Sequence, residues 1–230
     1  MTSKIRLIDG SSEILDYFDN MKYGVIFYVG SGKTFKTGTM FSVWEHPQSK
    51  KTRARLKAFY DPPIRAESFM PKHQNATSIY DLFKAPPGCI LSIDDMPVTL
   101  QSRGSGLAKK PQQIQGIISQ KGIRIDATLQ TFASGDIAFL RDQGSESVHK
   151  WMHPNAIKFE RPEFKNECMT ANRKIYEVHR ALRDKGIRID PLYISWVPGF
   201  NRALILPPPP WYNEDIAHYR KDWIPGEVEA

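Results

Sequence analysis

Apolar residues fall in short continuous runs separated by stretches rich in glycine, proline and lysine. The clearest run is Val25-Ile26-Phe27-Tyr28-Val29. Its bulky and β-branched residues, with no polar alternation, predict a strand buried on both faces of a sheet. Ahead of it, Ser11 and Ser12 precede Glu13-Ile14-Leu15-Asp16-Tyr17-Phe18, a pattern for a short helix with a hydroxyl cap. Behind it, Gly38 to Glu45 predicts a helix closed before Pro47. Two further runs, Cys89-Ile90-Leu91-Ser92-Ile93 and Ile123-Arg124-Ile125-Asp126-Ala127-Thr128-Leu129, predict strands, and Leu56 to Tyr60 is a candidate strand within a basic stretch broken by Pro62 and Pro63. Helices are predicted over 78–83, capped by Asn75 or Thr77, and around Ile114, Ile117 and Ile118, closed by Gly122. The Gly-, Ser- and Lys-rich residues 97–110 predict a mobile loop.

Strands alternating with helices argue for a mostly parallel sheet in a three-layer α/β fold, for which residues 1–150 suffice. From Trp151 to Ala230 the pattern changes, and this part reads as an accessory region packed on the core. It contains Pro154 and Pro162, a long helix predicted from about Asn166 to Asp184, a strand-like Leu192 to Val197, and Pro207 to Pro210. The hexapeptide Lys-Gly-Ile-Arg-Ile-Asp occurs at 121–126 and again at 185–190, each copy expected between a helix and a strand. We read it as a reused helix stop with glycine at the left-handed cap.

Composition narrows the partners. The chain of 230 residues is 40% hydrophobic and 25% charged, which excludes wholesale disorder. Its net charge of +7 favours a polyanionic partner. Cys89 and Cys168 are the only cysteines, so neither a disulfide framework nor a paired-cysteine metal site can be built, and a reducing compartment is expected. No stretch approaches the roughly 18 apolar residues of a membrane span, and the first residues lack the apolar core of a signal peptide. A soluble protein is therefore expected. His149 and His153 precede Pro154 without an acid beside them, and no zinc site is expected.

Candidate chemistry concentrates in Gly30-Ser31-Gly32-Lys33-Thr34-Phe35-Lys36-Thr37-Gly38. A glycine-rich loop between a strand and a helix points backbone N–H groups at a phosphate, and a lysine adds a point charge at the β- and γ-phosphates. Two registers fit. Gly32-Lys33-Thr34 supplies the familiar ending, but its first glycine would have to stand at Phe27, inside the strand. Gly30-x4-Phe35-Lys36-Thr37 has the correct spacing, with Phe35 replacing the penultimate glycine, and spacing favours it. Phe35 would then need a backbone conformation normally left to glycine, so the first register stays open. A plain surface turn is the third reading of the loop.

The strand Ile90 to Ile93 runs into Asp94-Asp95. A carboxylate at a strand tip can bind the hydration shell of Mg²⁺, and a second can polarise water for attack on a γ-phosphate. Loop and acids in this order match a nucleoside triphosphatase.

These pieces, with the loop 100–106, the basic helix ending at Lys121 and the strand 123–129 followed by Gln130, resemble the FtsK/HerA superfamily of P-loop ATPases. The resemblance covers roughly residues 22–143 and is strongest to the small genome-packaging ATPases of membrane-containing archaeal and bacterial viruses. It implies a RecA/FtsK-like core binding ATP and Mg²⁺. By resemblance the residues of 30–38 form the Walker A loop, Lys36 is its lysine, and Thr37 and Asp94 hold the metal. Asp95 is the catalytic acid in place of the usual Glu, and Gln130 the γ-phosphate sensor. Arg103 would complete a neighbour's site, a role for which Arg141 is the other candidate; a DNA phosphate contact and a solvated side chain are the other readings of Arg103. The implied activity is double-stranded DNA translocation by a homo-oligomeric ring, in the host cytoplasm or at the virion, with capsid or membrane-vertex proteins as further candidate partners.

Two other functions fit the same residues: a nucleotide-switched virion assembly protein, and a basic DNA-binding protein with an inactive ATP site. Lys50, Lys51, Arg53, Arg55, Lys57, Lys109 and Lys110 can neutralise DNA phosphates without reading bases, or simply form a solvated face. Trp211-Tyr212, after four prolines, reads as a packing anchor.

Overall fold

The run at 25–29 is strand β1 (Gly24–Val29), with every residue buried. The structure, a computed structural model, describes residues 11–45, 56–59, 73–76, 87–93, 111–133 and 144–209. Strand β2 is Leu56–Phe59, β3 His73–Ala76, β4 Ile90–Ile93, β5 Arg124–Leu129, β6 Gly144–His149, β7 Ile194–Val197 and β8 Arg202–Ile205. They form one eight-stranded sheet in the order β3-β2-β4-β5-β1-β6-β7-β8. The strands from β3 through β6 run parallel, and β7 and β8 extend the edge antiparallel. Strand β1 is central, flanked by β5 and β6.

Apolar side chains on both faces of β1 account for the absence of alternation in its sequence. Ile26 and Tyr28 pack with Phe18 of α1 (Ser11–Asn20) and with Phe41 and Trp44 of α2 (Lys36–Glu45). Val25, Phe27 and Val29 pack on the opposite face with Ile118 of α3 (Pro111–Lys121) and Cys168 of α5 (Pro162–Asp184). The short α4 (Pro154–Lys158) lies between β6 and α5 in the chain. The three-layer α/β architecture is as expected. A third cluster, including Ala171, Ile175, Ile194 and Trp196, fastens α5 to β7 and β8. No helix among the described residues is long and apolar enough to cross a membrane.

Polar anchors hold the first layer in place. Arg124 and Asp126, neighbours on one face of β5, form a fully buried ion pair at 2.9 Å. Arg124 also donates to the Phe18 carbonyl at 2.7 Å, and Trp44 donates its indole N–H to Asp126 at 3.1 Å. One pair thus fixes α1 and α2 to the sheet.

Several elements differ from the sequence expectation. Ser11 lies within α1, and its hydroxyl accepts the N–H of Ile205 in β8. Helix α2 begins at Lys36, and α5 begins at Pro162, whose missing N–H is harmless in a first turn. Asn75, read as a helix cap, lies in β3 opposite Ala58. Strands β6 and β8 were not expected. Gly122 and Gly186 both take the left-handed conformation, with φ of 61° and 74°. The second hexapeptide does not lead into a strand, because Pro191 has no N–H for a ladder and opens a 3₁₀ turn over Pro191–Tyr193, capped by Asp190. The predicted helix 78–83, the loop 97–110 and Trp211-Tyr212 lie outside the described residues.

Candidate phosphate-binding site

Strand β1 ends at Val29, α2 starts at Lys36, and the glycine-rich loop bridges them. Both neighbouring strands hold its base: Gly30 donates to the carbonyl of Leu129, the last residue of β5, and Ser31 donates to the Trp151 carbonyl after β6, each at 3.2 Å. Gly30 has no room for a side chain, since a Cβ there would lie 2.7 Å from the Lys150 Cβ. Phe35 takes φ of 64° and Lys33 φ of 61°. Phe35 thus occupies the left-handed region that spacing demanded of it, at a strain of about 1–2 kcal/mol. Its ring is held in return, 5.2 Å from the Tyr193 ring and 5.9 Å from the Lys150 ammonium.

Lys36, 9% exposed, folds its ammonium back over the loop and donates to the carbonyls of Gly30 at 2.8 Å and Ser31 at 2.7 Å. Lys33 is exposed. Thr37 is half-buried at the second position of α2. Thr34 donates to the Ser31 carbonyl and Thr39 to the Phe35 carbonyl, tightening the turn from within.

Gln130 directly follows Leu129, which pairs with Val29, so it stands beside the start of the loop and is exposed. The turn after it is fixed by Glu160, a residue the sequence reading missed. This buried carboxylate accepts the N–H groups of Phe132 at 2.7 Å, Ala133 at 2.8 Å and Arg161 at 2.9 Å. Lys150, equally unforeseen, is buried behind the loop and donates to the Leu192 carbonyl and to Ser195 Oγ. Burial lowers its pKa from 10.5 to about 7; Asp190 opposes the shift and the Lys36 charge adds to it.

His149 has the supporting acid that its sequence neighbourhood lacks, because α5 brings Glu167 to 2.6 Å from its Nε2. That hydrogen bond holds the Glu167 carboxyl below its ordinary pKa. Among the described residues, no group of three or more His, Cys, Asp or Glu side chains is arranged to hold a metal. Asp94, Asp95, Arg103 and Arg141 lie outside the described residues, as do Lys50, Lys51, Arg53, Arg55, Lys109 and Lys110. Strand β4 is described as far as Ile93, the residue before Asp94.

A mostly parallel sheet with a glycine-containing loop at the end of its central strand, running directly into a helix, defines the architecture. The chain has a three-layer α/β fold with a mostly parallel sheet. Its structure is similar to that of the DNA-packaging ATPase B204 of Sulfolobus turreted icosahedral virus, with 12% identity over 81% of this chain and 98% of that one and a TM-score of 0.46. It is also similar to the genome-packaging NTPase B204 of Sulfolobus turreted icosahedral virus 2 in complex with sulfate, with 11% identity over 82% and 98% and a TM-score of 0.46. EssC (ATPases 2 and 3) from Geobacillus thermodenitrificans matches with 14% identity over 86% of this chain and 43% of that one, with a TM-score of 0.44. The sequence matches no protein-family profile and no curated protein.

Proposed function

We propose that the chain is a P-loop ATPase that couples hydrolysis of Mg²⁺-ATP to movement of double-stranded DNA during genome packaging, working as a ring of identical subunits. The observation that carries the nucleotide part is the position of Lys36. Its ammonium sits over a loop built between a central strand and a helix N-terminus, where backbone N–H groups and a fixed cation favour a polyphosphate. The carbonyls it now holds are weaker partners than phosphate oxygens.

In this reading the loop 30–38 holds the phosphates through Lys36 and the amides of residues 32–38, while the Gly30 and Ser31 amides anchor its base, and the Thr37 hydroxyl with Asp94 holds the metal. An oxygen-only pair of this kind suits a hard cation. Mg²⁺ supplies charge neutralisation at the β- and γ-phosphates when bound. Asp95 orients the attacking water, Gln130 contacts the γ-phosphate, and Arg103 serves the neighbouring subunit. Support for DNA as the partner comes from the net charge of +7.

The test is ATP hydrolysis with and without Mg²⁺ and double-stranded DNA, on the wild type and on Lys33→Ala, Lys36→Ala and Asp94→Ala. The proposal expects turnover to rise with DNA, to vanish in Lys36→Ala and Asp94→Ala, and to survive in Lys33→Ala. Binding without turnover would point instead to a nucleotide-switched assembly protein.

A further inference from the structure

Directly beside the loop, a large aromatic ring is held out into solvent on a tightly fixed backbone. Trp151 is 43% exposed, although it lies between the buried residues Lys150 and Met152. Every peptide around it is tied down. Its own carbonyl accepts the Ser31 N–H at 3.2 Å, and the His153 N–H donates to Ser31 Oγ at 2.6 Å. Asn172 of α5 clamps Met152 from both sides, accepting its N–H at 2.8 Å and donating to its carbonyl at 2.6 Å. The His153 ring stands edge-on to the indole, 5.8 Å away at 88°. Exposed aromatic area on a rigid support can receive a flat ligand.

Strand order says which end of a nucleotide reaches it. The strand leading to Asp94-Asp95 is β4, beyond β5 on one side of β1, and Gln130 is on that same side. A γ-phosphate directed toward those groups sends the nucleoside end the other way, toward β6. Strands lie about 4.8 Å apart, so the tip of β6 is one spacing from the loop. The residues at that tip are Lys150, Trp151 and His153, and Lys150 is turned inward.

We infer that the indole of Trp151 is the stacking platform for the nucleobase of a purine nucleoside triphosphate bound at the 30–38 loop. This rests on the nucleotide reading above. A π-face recognises the area of a base, not its edge pattern, so the platform favours purines over pyrimidines and does not separate ATP from GTP. Ser31 links the platform to the loop through two hydrogen bonds, so the base and phosphate subsites form one rigid unit.

The test uses the full chain and equilibrium binding of ATP, GTP, CTP, inorganic tripolyphosphate and double-stranded DNA to the wild type, Trp151→Ala, Trp151→Phe and Lys36→Ala. Loss of the platform should weaken ATP and GTP about tenfold or more while leaving tripolyphosphate unchanged, and Trp151→Phe should restore most of the loss. Equal weakening of ATP and tripolyphosphate would mean that Trp151 only shapes the loop, and unchanged ATP affinity would mean that the base lies elsewhere; either overturns the inference. So would loss of DNA binding with ATP binding intact, which would make the ring a DNA contact. If the wild type binds neither ATP nor tripolyphosphate, or if Lys36→Ala leaves both unchanged, the nucleotide reading itself falls, and the platform with it.

Discussion

A methyl group placed on Gly38 would lie 2.2 Å from two ring carbons of Phe35. The ring therefore covers the first turn of α2 and makes glycine necessary there. Gly38→Ala should lower stability by about 1–3 kcal/mol, the usual effect of overpacking. The double variant Phe35→Gly/Gly38→Ala should be more stable than Gly38→Ala, since it removes both the collision and the left-handed strain. Urea unfolding of the two single variants and the double variant checks this, and a double variant no better than Gly38→Ala would show that the ring is not what Gly38 accommodates.

Lys150 predicts a pH dependence. Its folded pKa of about 7 lies below the 10.5 expected when the chain unfolds, so between those values the unfolded state binds more protons. Stability should rise with pH from about 7 toward 10, with a slope from this group of at most about 1.4 kcal/mol per pH unit. The penalty is fully present below pH 7. In Lys150→Met this contribution is gone, so the stability of the variant relative to wild type should fall as pH rises. Denaturation at pH 7, 8 and 9 reads that difference, and a constant offset would count against a neutralised buried lysine.

Glu160 should matter to Gln130 through the turn that follows it. Glu160→Ala strips buried N–H groups of their acceptor and should destabilise the chain by about 1–3 kcal/mol. Where ATP turnover is measured, kcat should fall more than KM rises, because the turn after Gln130 loosens while the loop at 30–38 keeps its own supports. Glu160→Gln, which keeps one oxygen acceptor, should lie between. An equal effect on kcat and KM would indicate a general loss of fold.

Removing one partner of the buried pair in β5 leaves an uncompensated charge. Arg124→Met alone should cost about 3–5 kcal/mol, whereas Arg124→Met/Asp126→Leu should recover much of that loss. Thermal unfolding of both variants tests the coupling, and additive losses would argue that each residue acts independently.

Largely apolar runs made β1 and β4 legible, because strands buried on both faces can be read without knowing their neighbours, and β5 was legible from Ile123, Ile125, Ala127 and Leu129 alternating with Arg124, Asp126 and Thr128. The spacing of Gly30 and Lys36 likewise announced the left-handed backbone at Phe35. Strand β6 was not legible: Gly-Ser-Glu-Ser-Val-His is polar because Ser147 and His149 face Glu167, a partner supplied by a helix later in the chain. Asn75 looked like a cap because its preference for helix starts is local, whereas its place in β3 is set by pairing with β2. The same limit hid Lys150 and Glu160. Nothing near either residue in the sequence indicates burial, and their partners, Leu192, Ser195 and the turn at 132–133, lie elsewhere in the chain.

The contacts of Phe35 and Lys150 with residues 192–195 also bear on how the chain can be divided. A fragment ending at residue 150 would keep every amino acid of the loop yet lose Tyr193, the Leu192 carbonyl and Ser195, leaving an aromatic ring uncovered and a buried ammonium without acceptors. Such a fragment should fold poorly, or fold with a different loop. Grafting another chain's C-terminal region onto this one would meet the same obstacle unless the graft supplied a ring for Phe35 and acceptors for Lys150.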